Sequence, residues 1–333
     1  MKRMKFVVRS LSLVLVSVLA IGARFDPTKP AGMAGGQADL SFAVISDVQE
    51  PPMFSANVGW LGTITSEFFV IVGDHIPGYT DQSKLIAFWN GFEQTANRLK
   101  SPYVMVPGNH DCYDAMSEGV WRDRYGPLWF SWNHRGCHFV ALDSVEIGSE
   151  GFIRGAQLEW LKKDLAGAKE ARATFVFVHW PLWKPGYKDQ AWFADVHPLL
   201  AAAGVEYVFA GHEHHYEVDD TKDGVRYIVL GPTAGNTGED FGSFTNALLV
   251  EVKGTAATYR LLTPDGERRA DFYTRAVELE AGRPITIEPV TKIGKNRPVE
   301  LAMTVGNPWK DRPVQVIASV NPGGGSWKAG RVE

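Results

Sequence analysis

Five short runs of this chain, at 42–45, 68–72, 104–106, 175–178 and 207–210, are apolar at every position and are followed by glycine, proline or a polar residue. A continuous apolar run of three to five residues, ended by a turn signal, predicts a strand buried on both faces, as in a parallel sheet. Between the strands the period changes. Over 82–99 the residues Leu85, Phe88, Trp89, Phe92 and Leu99 recur at helical spacing, and over 156–168 Leu158, Leu161 and Leu165 share one face. The runs 137–142, 226–230, 246–252 and 256–262 add further strands, the last three in succession. Strands alternating with helices indicate a layered α/β fold.

The polar residues that end the five runs are not a random set. They are Asp47 and Gln49 in Ser-Asp-Val-Gln, Asp74 in Val-Gly-Asp-His, Asn109 in Pro-Gly-Asn-His-Asp, His179 in Val-His-Trp-Pro, and His212 with His214 in Gly-His-Glu-His-His. In an open α/β sheet, ligands bind in the crevice outside the carboxyl ends of the strands. Carboxylates, amides and imidazoles delivered there suit divalent metals, two rather than one. Taken singly, a histidine at a strand end is more often a hydrogen-bonded structural residue; the metal reading rests on the set. His212 and His214 alternate on an extended segment and point to one side, which turns His215 the other way. His75 reads as a residue outside the ligand shell, and His134, His138 and His197 as structural or surface residues.

In order and spacing these motifs resemble those of the calcineurin-like metallophosphoesterase superfamily over residues 40 to 262. That family's pattern is Asp-x-His, Gly-Asp, Gly-Asn-His-Asp/Glu, His and Gly-His-x-His. The resemblance implies two packed β-sheets flanked by helices, a four-layer α/β sandwich, and a centre of two divalent metal ions holding a bridging hydroxide. One ion would take Asp47, Gln49, Asp74 and His214; the other would share Asp74 and take Asn109, His179 and His212. His110 would protonate the leaving oxygen or stabilise the transition state, and Asp111 would orient His110 through its other ring nitrogen. Gln49 stands where most members have histidine. An oxygen ligand there favours Mn²⁺, or Mg²⁺, over Zn²⁺ or Fe. The histidine-rich stretch is similar to that of purple acid phosphatases, but Asp74-His-Ile-Pro lacks their tyrosine three residues after the aspartate, which argues against an Fe³⁺–tyrosinate site. The stretch between Gln49 and Phe68 leaves little room for the helix that usually follows the first strand.

Composition places limits on this picture. An apolar content of 45% with 22% charged residues is ordinary for a globular protein. Formal charge is −4, and residues 1–20 hold Lys2, Arg3, Lys5 and Arg9 with no acid. The remainder is therefore more acidic still, which argues against a nucleic-acid-binding surface. That basic start, followed by an apolar run at 11–21 and small residues at Ala20 and Ala23, reads as a signal peptide over 1–23, so the expected location is periplasmic or secreted. The run is too short for a stable membrane anchor. Residues 24–38 read as a linker, 39–264 as the metallophosphoesterase domain and 265–333 as a C-terminal β extension, with a hairpin between 299–305 and 314–320. Cys112 and Cys137 suit either a disulfide or two unpaired buried thiols. Trp180, Trp183, Tyr187 and Trp192, crowded after His179, suit either a leaving-group pocket or a loop packed on itself.

The expectation is thus a metal-dependent hydrolase acting on a small phosphoester substrate. Its alternatives are a phosphodiesterase or nucleotide pyrophosphatase using the same metals, and a noncatalytic surface binding protein on the same scaffold.

Overall fold

The computed structural model describes residues 39–145, 151–219, 221–237 and 242–270, together with the strand pair 286–287 and 303–304. The expected signal peptide and linker lie outside the described residues. Strands β1 (Leu40–Ile45), β2 (Phe69–Val72) and β3 (Tyr103–Val106) form one half of a six-stranded sheet. They run parallel, with Ala43 opposite Phe69 and Phe69 opposite Tyr103. A second sheet holds β4 (Phe130–His134), β5 (Cys137–Leu142), β6 (Thr174–Val178), β7 (Val205–Ala210), β8 (Glu217–Val218) and β9 (Arg226–Val229). Within it β5, β6, β7 and β9 are mutually parallel. The first sheet is completed on its other side by β10 (Ala247–Lys253), β11 (Ala256–Thr263) and β12 (Gly266–Arg268), a meander antiparallel to β1. Its last strand lies past residue 264.

The apolar runs explain why the sheets face each other. Phe42 from β1 stacks on Phe68 with ring centroids 5.4 Å apart and meets Phe139 and Phe175 of the other sheet edge-on at 5.3 and 5.0 Å. These rings belong to one buried cluster drawn from both sheets. Each such phenylalanine contributes about 1.5–3 kcal/mol by leaving water. The opposite faces of the strands are equally apolar and are covered by helices. Over the first sheet lie α1 (Pro51–Leu61), α2 (Gln82–Ala96) and α3 (Ala115–Tyr125), packed through Phe54, Trp89 and Trp121. Over the second lie α4 (Gly155–Gly167) and a helical stretch formed by Asp189–Ala191, a π-helical turn Trp192–Val196 and His197–Ala202. The result is helix, sheet, sheet, helix, as the motif resemblance implies.

One local expectation is corrected, and one alternative left open by the sequence is decided. The segment after Gln49 does hold a helix, because Pro51 and Pro52 occupy its first turn, where a missing N–H costs nothing. The thiols are unpaired: Cys112 packs under the helices of the first sheet and Cys137 between the sheets. In the C-terminal region Met303–Thr304 is a strand, but it pairs with Thr286–Ile287. The run 314–320 lies outside the described residues.

Candidate metal centre

Parallel strands bring their carboxyl ends to one rim, and here the rims of both sheets meet. Ser46 Oγ and His179 Nδ1 both donate to the carbonyl of Val72, at 2.9 Å each, tying β1 and β6 to the end of β2. The N–H of His212 donates to Asp47 Oδ2 at 3.0 Å, tying β7 to β1. Asp47, Asp74, His212 and His214 all have positive φ, between 52° and 72°. Among the described residues only Arg135 and Asp223 share that conformation without being glycine. Left-handed backbone at a side-chain-bearing residue carries strain and tends to concentrate at functional sites. Here it turns each side chain off the strand end into the crevice. Gly211 serves the same close approach, since a Cβ on it would stand 1.7 Å from Ser46 Oγ.

The sequence-predicted residues fall into two touching groups. Asp74, His179 and His212 bring ligand atoms within 4.8 Å of one another. Asn109 joins them, its Oδ1 3.1 Å from His179 Nε2. Trp180 Nε1–H donates to that same Oδ1 at 2.8 Å, which fixes the amide with its oxygen toward His179. In the second group His214 Nε2 lies 3.3 Å from Asp47 Oδ1 and 3.2 Å from the Gln49 amide nitrogen. Gln49 Oε1 is buried and accepts no hydrogen bond.

The protonation pattern shows what this arrangement lacks. The Nδ1–H of His179 goes to Val72 O, and that of His214 goes to Asn236 O at 2.9 Å. Each ring therefore turns Nε2, the lone-pair nitrogen of a neutral imidazole, toward carboxylate oxygen: His179 Nε2 is 3.2 Å from Asp74 Oδ1. Acceptors facing acceptors in a buried site need a cation between them, either a proton or a metal. The titration of the site reflects the same demand. Burial works against charge on His179, but Asp74 beside it outweighs burial and lifts its pKa to about 9. Burial also opposes ionisation of Asp74, and the neighbouring His179 and His110 more than compensate, holding it below the usual carboxylate range. His214 is raised, Asp47 overcoming the effect of burial. His212 is instead pushed down to about 4, by burial and then by His179. These residues, with the orphaned Gln49 oxygen, fit the donor set of bound divalent ions.

His110 sits at the open side of the centre. Its backbone N–H donates to Asp74 Oδ1 at 2.9 Å, and its Nε2 lies 3.9 Å from Asp74 Oδ2. The ring is oriented by the carbonyl of Pro77, which accepts from Nδ1 at 2.8 Å. This corrects the role expected of Asp111. Its carboxylate faces the other way, accepting from the His75 backbone and Nδ1 at 3.0 and 2.8 Å and from the Gly108 N–H at 2.8 Å. His75 is buried among Trp89, Phe92 and Trp121, so Asp111 braces the loop that carries Asn109 and His110 and touches neither directly through its side chain.

The aromatic segment after His179 divides. Trp183 and Trp192 belong to the core, with their indole N–H groups on Asp219 and Tyr227. Trp180 and Tyr187 stay beside His212, with ring centroids 5.4 and 6.0 Å from it. His215 points away from the Asp74 group to Glu217, at 3.0 Å. Glu213, His215 and Glu217 are themselves close enough to hold an ion, but the ammonium of Lys184 stands among them, 2.5 and 2.6 Å from the two carboxylates. Sequence reasoning missed Lys184. A lone lysine in an aromatic loop carries no signal until the fold sets two glutamates against it.

Comparison with known proteins agrees with this geometry. The family model for calcineurin-like phosphoesterases matches residues 40–216. Tartrate-resistant acid phosphatase type 5 of Rattus norvegicus is 39% identical over 240 residues, spanning 61% of this chain and 70% of that protein. The 3′,5′-cyclic adenosine monophosphate phosphodiesterase CpdA of Escherichia coli K12 is 28% identical over 177 residues, spanning 50% of this chain and 62% of that one. Among solved structures, a dimetal phosphatase from Danio rerio shares the fold with a TM-score of 0.52 and 14% identity, over 66% of this chain and 98% of its own. The chain belongs to the calcineurin-like phosphoesterase family, hydrolases that act on phosphoric ester bonds.

Proposed function

We propose that the protein hydrolyses phosphate esters with two divalent cations, Mn²⁺ in preference to Zn²⁺, held by Asp47, Gln49, Asp74, Asn109, His179, His212 and His214. The observation that carries this reading is the set of inward-facing lone pairs whose partner protons are already committed to Val72 and Asn236 carbonyls. Asp74 suits the shared position because its carboxylate offers two oxygens, of which Oδ1 lies 3.2 Å from His179 Nε2. When bound, such a pair of cations supplies a nucleophilic water near neutral pH and neutralises charge on the phosphoryl oxygens.

The residues of the chain do the rest. A water oxygen forms a bond to phosphorus as the bond to the leaving oxygen breaks, giving inorganic phosphate and an alcohol. With Nδ1–H held by Pro77 O, a protonated His110 carries its transferable proton on Nε2, facing the centre, and gives it to the departing oxygen. Trp180 and Asp111 act indirectly, by fixing the Asn109 amide and bracing its loop. Pro77 occupies the third position after Asp74, so no phenolate is available there for an Fe³⁺ site. Export to the periplasm or beyond is part of the proposal, supported by the basic-then-apolar order of residues 1–23. Among the described residues no helix is long and apolar enough to cross a membrane.

The test is to strip the purified protein with chelator and restore single metals. Mn²⁺ should restore hydrolysis of an activated aryl phosphate more fully than Zn²⁺, with two ions bound per chain. Equal recovery with Zn²⁺, or one ion per chain, would refute the corresponding half of the reading.

A further inference from the structure

We propose that the cleft beyond His110 receives the leaving group, and that Tyr79 and Tyr113 grip a planar aromatic ring there. The inference rests on the function proposed above and names the class of ester it serves. The cleft, of about 450 Å³, is lined by Pro77, Gly78, Tyr79, Thr80, Asn109, His110 and Tyr113. Asn109 and His110 thus border both the metal centre and the cleft. A phosphoryl group at the centre, with its leaving oxygen toward His110 Nε2, directs the rest of the ester into this space. The volume is that of pockets that hold drug-sized ligands, well beyond the needs of a lone phosphate.

The walls indicate what fits. Among the described residues the large apolar side chains left exposed are Tyr79 and Tyr113, at 41% and 38%, and both line this one cleft. Scattered surface aromatics need no explanation, but a pair gathered beside a reactive site does. The Tyr79 ring and the Tyr113 backbone are both held before any ligand arrives. Lys84 Nζ lies 3.2 Å from the Tyr79 hydroxyl and 4.6 Å from its ring centre, and the Phe88 ring lies 6.0 Å away. The Tyr113 N–H donates to Ser117 Oγ at 3.0 Å, within the capping box that starts α3. The loop bearing Tyr79 is locked onto the turn bearing Tyr113. Gly78 has φ +75°, and a Cβ on it would stand 2.9 Å from the His110 carbonyl oxygen. Two aromatic side chains lining one cleft favour a flat π-system, which offers each ring a face to stack on. That ring could be a nucleobase or a phenol-type ring joined directly to the leaving oxygen.

Full-length protein carrying Tyr79→Ala, Tyr113→Ala or the matching Phe changes separates these possibilities. Adenosine and naphthol carry no phosphate, so their binding, measured calorimetrically, is independent of turnover. The protein should bind at least one, and each Ala variant should bind it about tenfold more weakly while the Phe variants bind as before. For hydrolysis, kcat/KM on adenosine monophosphate or naphthyl phosphate should fall by a similar factor, whichever matches the ring that binds. Glycerol phosphate, with no ring, should change by less than about twofold. Failure of the unmodified protein to bind either ring compound overturns the clamp, as does an equal loss on all three esters. Ring binding that the Ala changes weaken, in a protein that hydrolyses none of the esters, supports the clamp and overturns the proposed function instead.

Discussion

Replacing Lys184 by Met should cost about 3 kcal/mol of stability and do so in a pH-dependent way. The ammonium lies 2.5 Å from Glu213 and 2.6 Å from Glu217, and the Glu217 side chain is fully buried. Removing one partner of a buried ion pair strands the other and costs about 3–5 kcal/mol. The lower end applies because His215, 3.0 Å from Glu217, remains. For a domain of this size that is a fall in Tm of about 6–12 °C. Burial alone would raise the pKa of Glu217, but the hydrogen bonds and charges of His215 and Lys184 prevail and depress it from 4.5 to about 2. Its contribution is therefore present above about pH 4.5 and lost as pH falls toward 2. Without Lys184 the carboxylate is penalised and takes up a proton more readily. The stability gap between the two proteins should be widest near neutral pH and narrow on acidification below about pH 5. Urea denaturation at several pH values measures it. A gap that stays constant from neutral to acid pH, or a Lys184→Met/Glu217→Leu double variant no more stable than the single one, would refute the argument.

Three further outcomes follow from the geometry. His110→Ala should lower turnover by roughly 10²–10⁴-fold while metal content, read by atomic emission, stays unchanged; loss of metal would make His110 a ligand. Gly211→Ala should force Ser46 and Asp47 aside, costing about 1–3 kcal/mol in denaturation and weakening metal retention on dialysis; a variant matching the parent in both would show that the strand ends can part without consequence. Trp183→Ala should remove about 3–5 kcal/mol by leaving a cavity beside Tyr227, with all substrates affected alike; a selective loss on one substrate would return Trp183 to the pocket.

Much of this was legible in the order of residues because buried parallel strands are written as short apolar runs, and the residue after each run has one place to go. The runs at 42–45 and 175–178 fall in strands, and Asp47 and His179 lie just beyond their ends. Adjacency in sequence misled where the chain turns sharply. Asp111 follows His110, yet the turn sends the two side chains to opposite sides, and Asp111 finds His75, 36 residues back. The helix Ala115–Tyr125 escaped notice because its buried face is carried mainly by Val120 and Trp121 among charged neighbours. Aromatic density is also ambiguous by nature: the crowded segment after His179 gave two tryptophans to the core, while Tyr79 and Tyr113, isolated in sequence, reach one cleft.

The left-handed backbone at Asp47, Asp74, His212 and His214 constrains how this centre can vary. Replacement by a β-branched or bulky side chain at any of those four would meet a conformational barrier before its coordinating ability mattered, so only aspartate, asparagine, histidine or glycine is readily accepted. Gln49, Asn109 and His179 are not among the residues held that way. At those three positions the backbone sets no such barrier to the choice of side chain. Chain geometry therefore constrains four of the seven candidate ligands and leaves three without that barrier, and the departure from the family's usual histidine falls among the three. A change of metal preference in this architecture would meet no left-handed backbone at residue 49, and the other side chains of the crevice could stay as they stand.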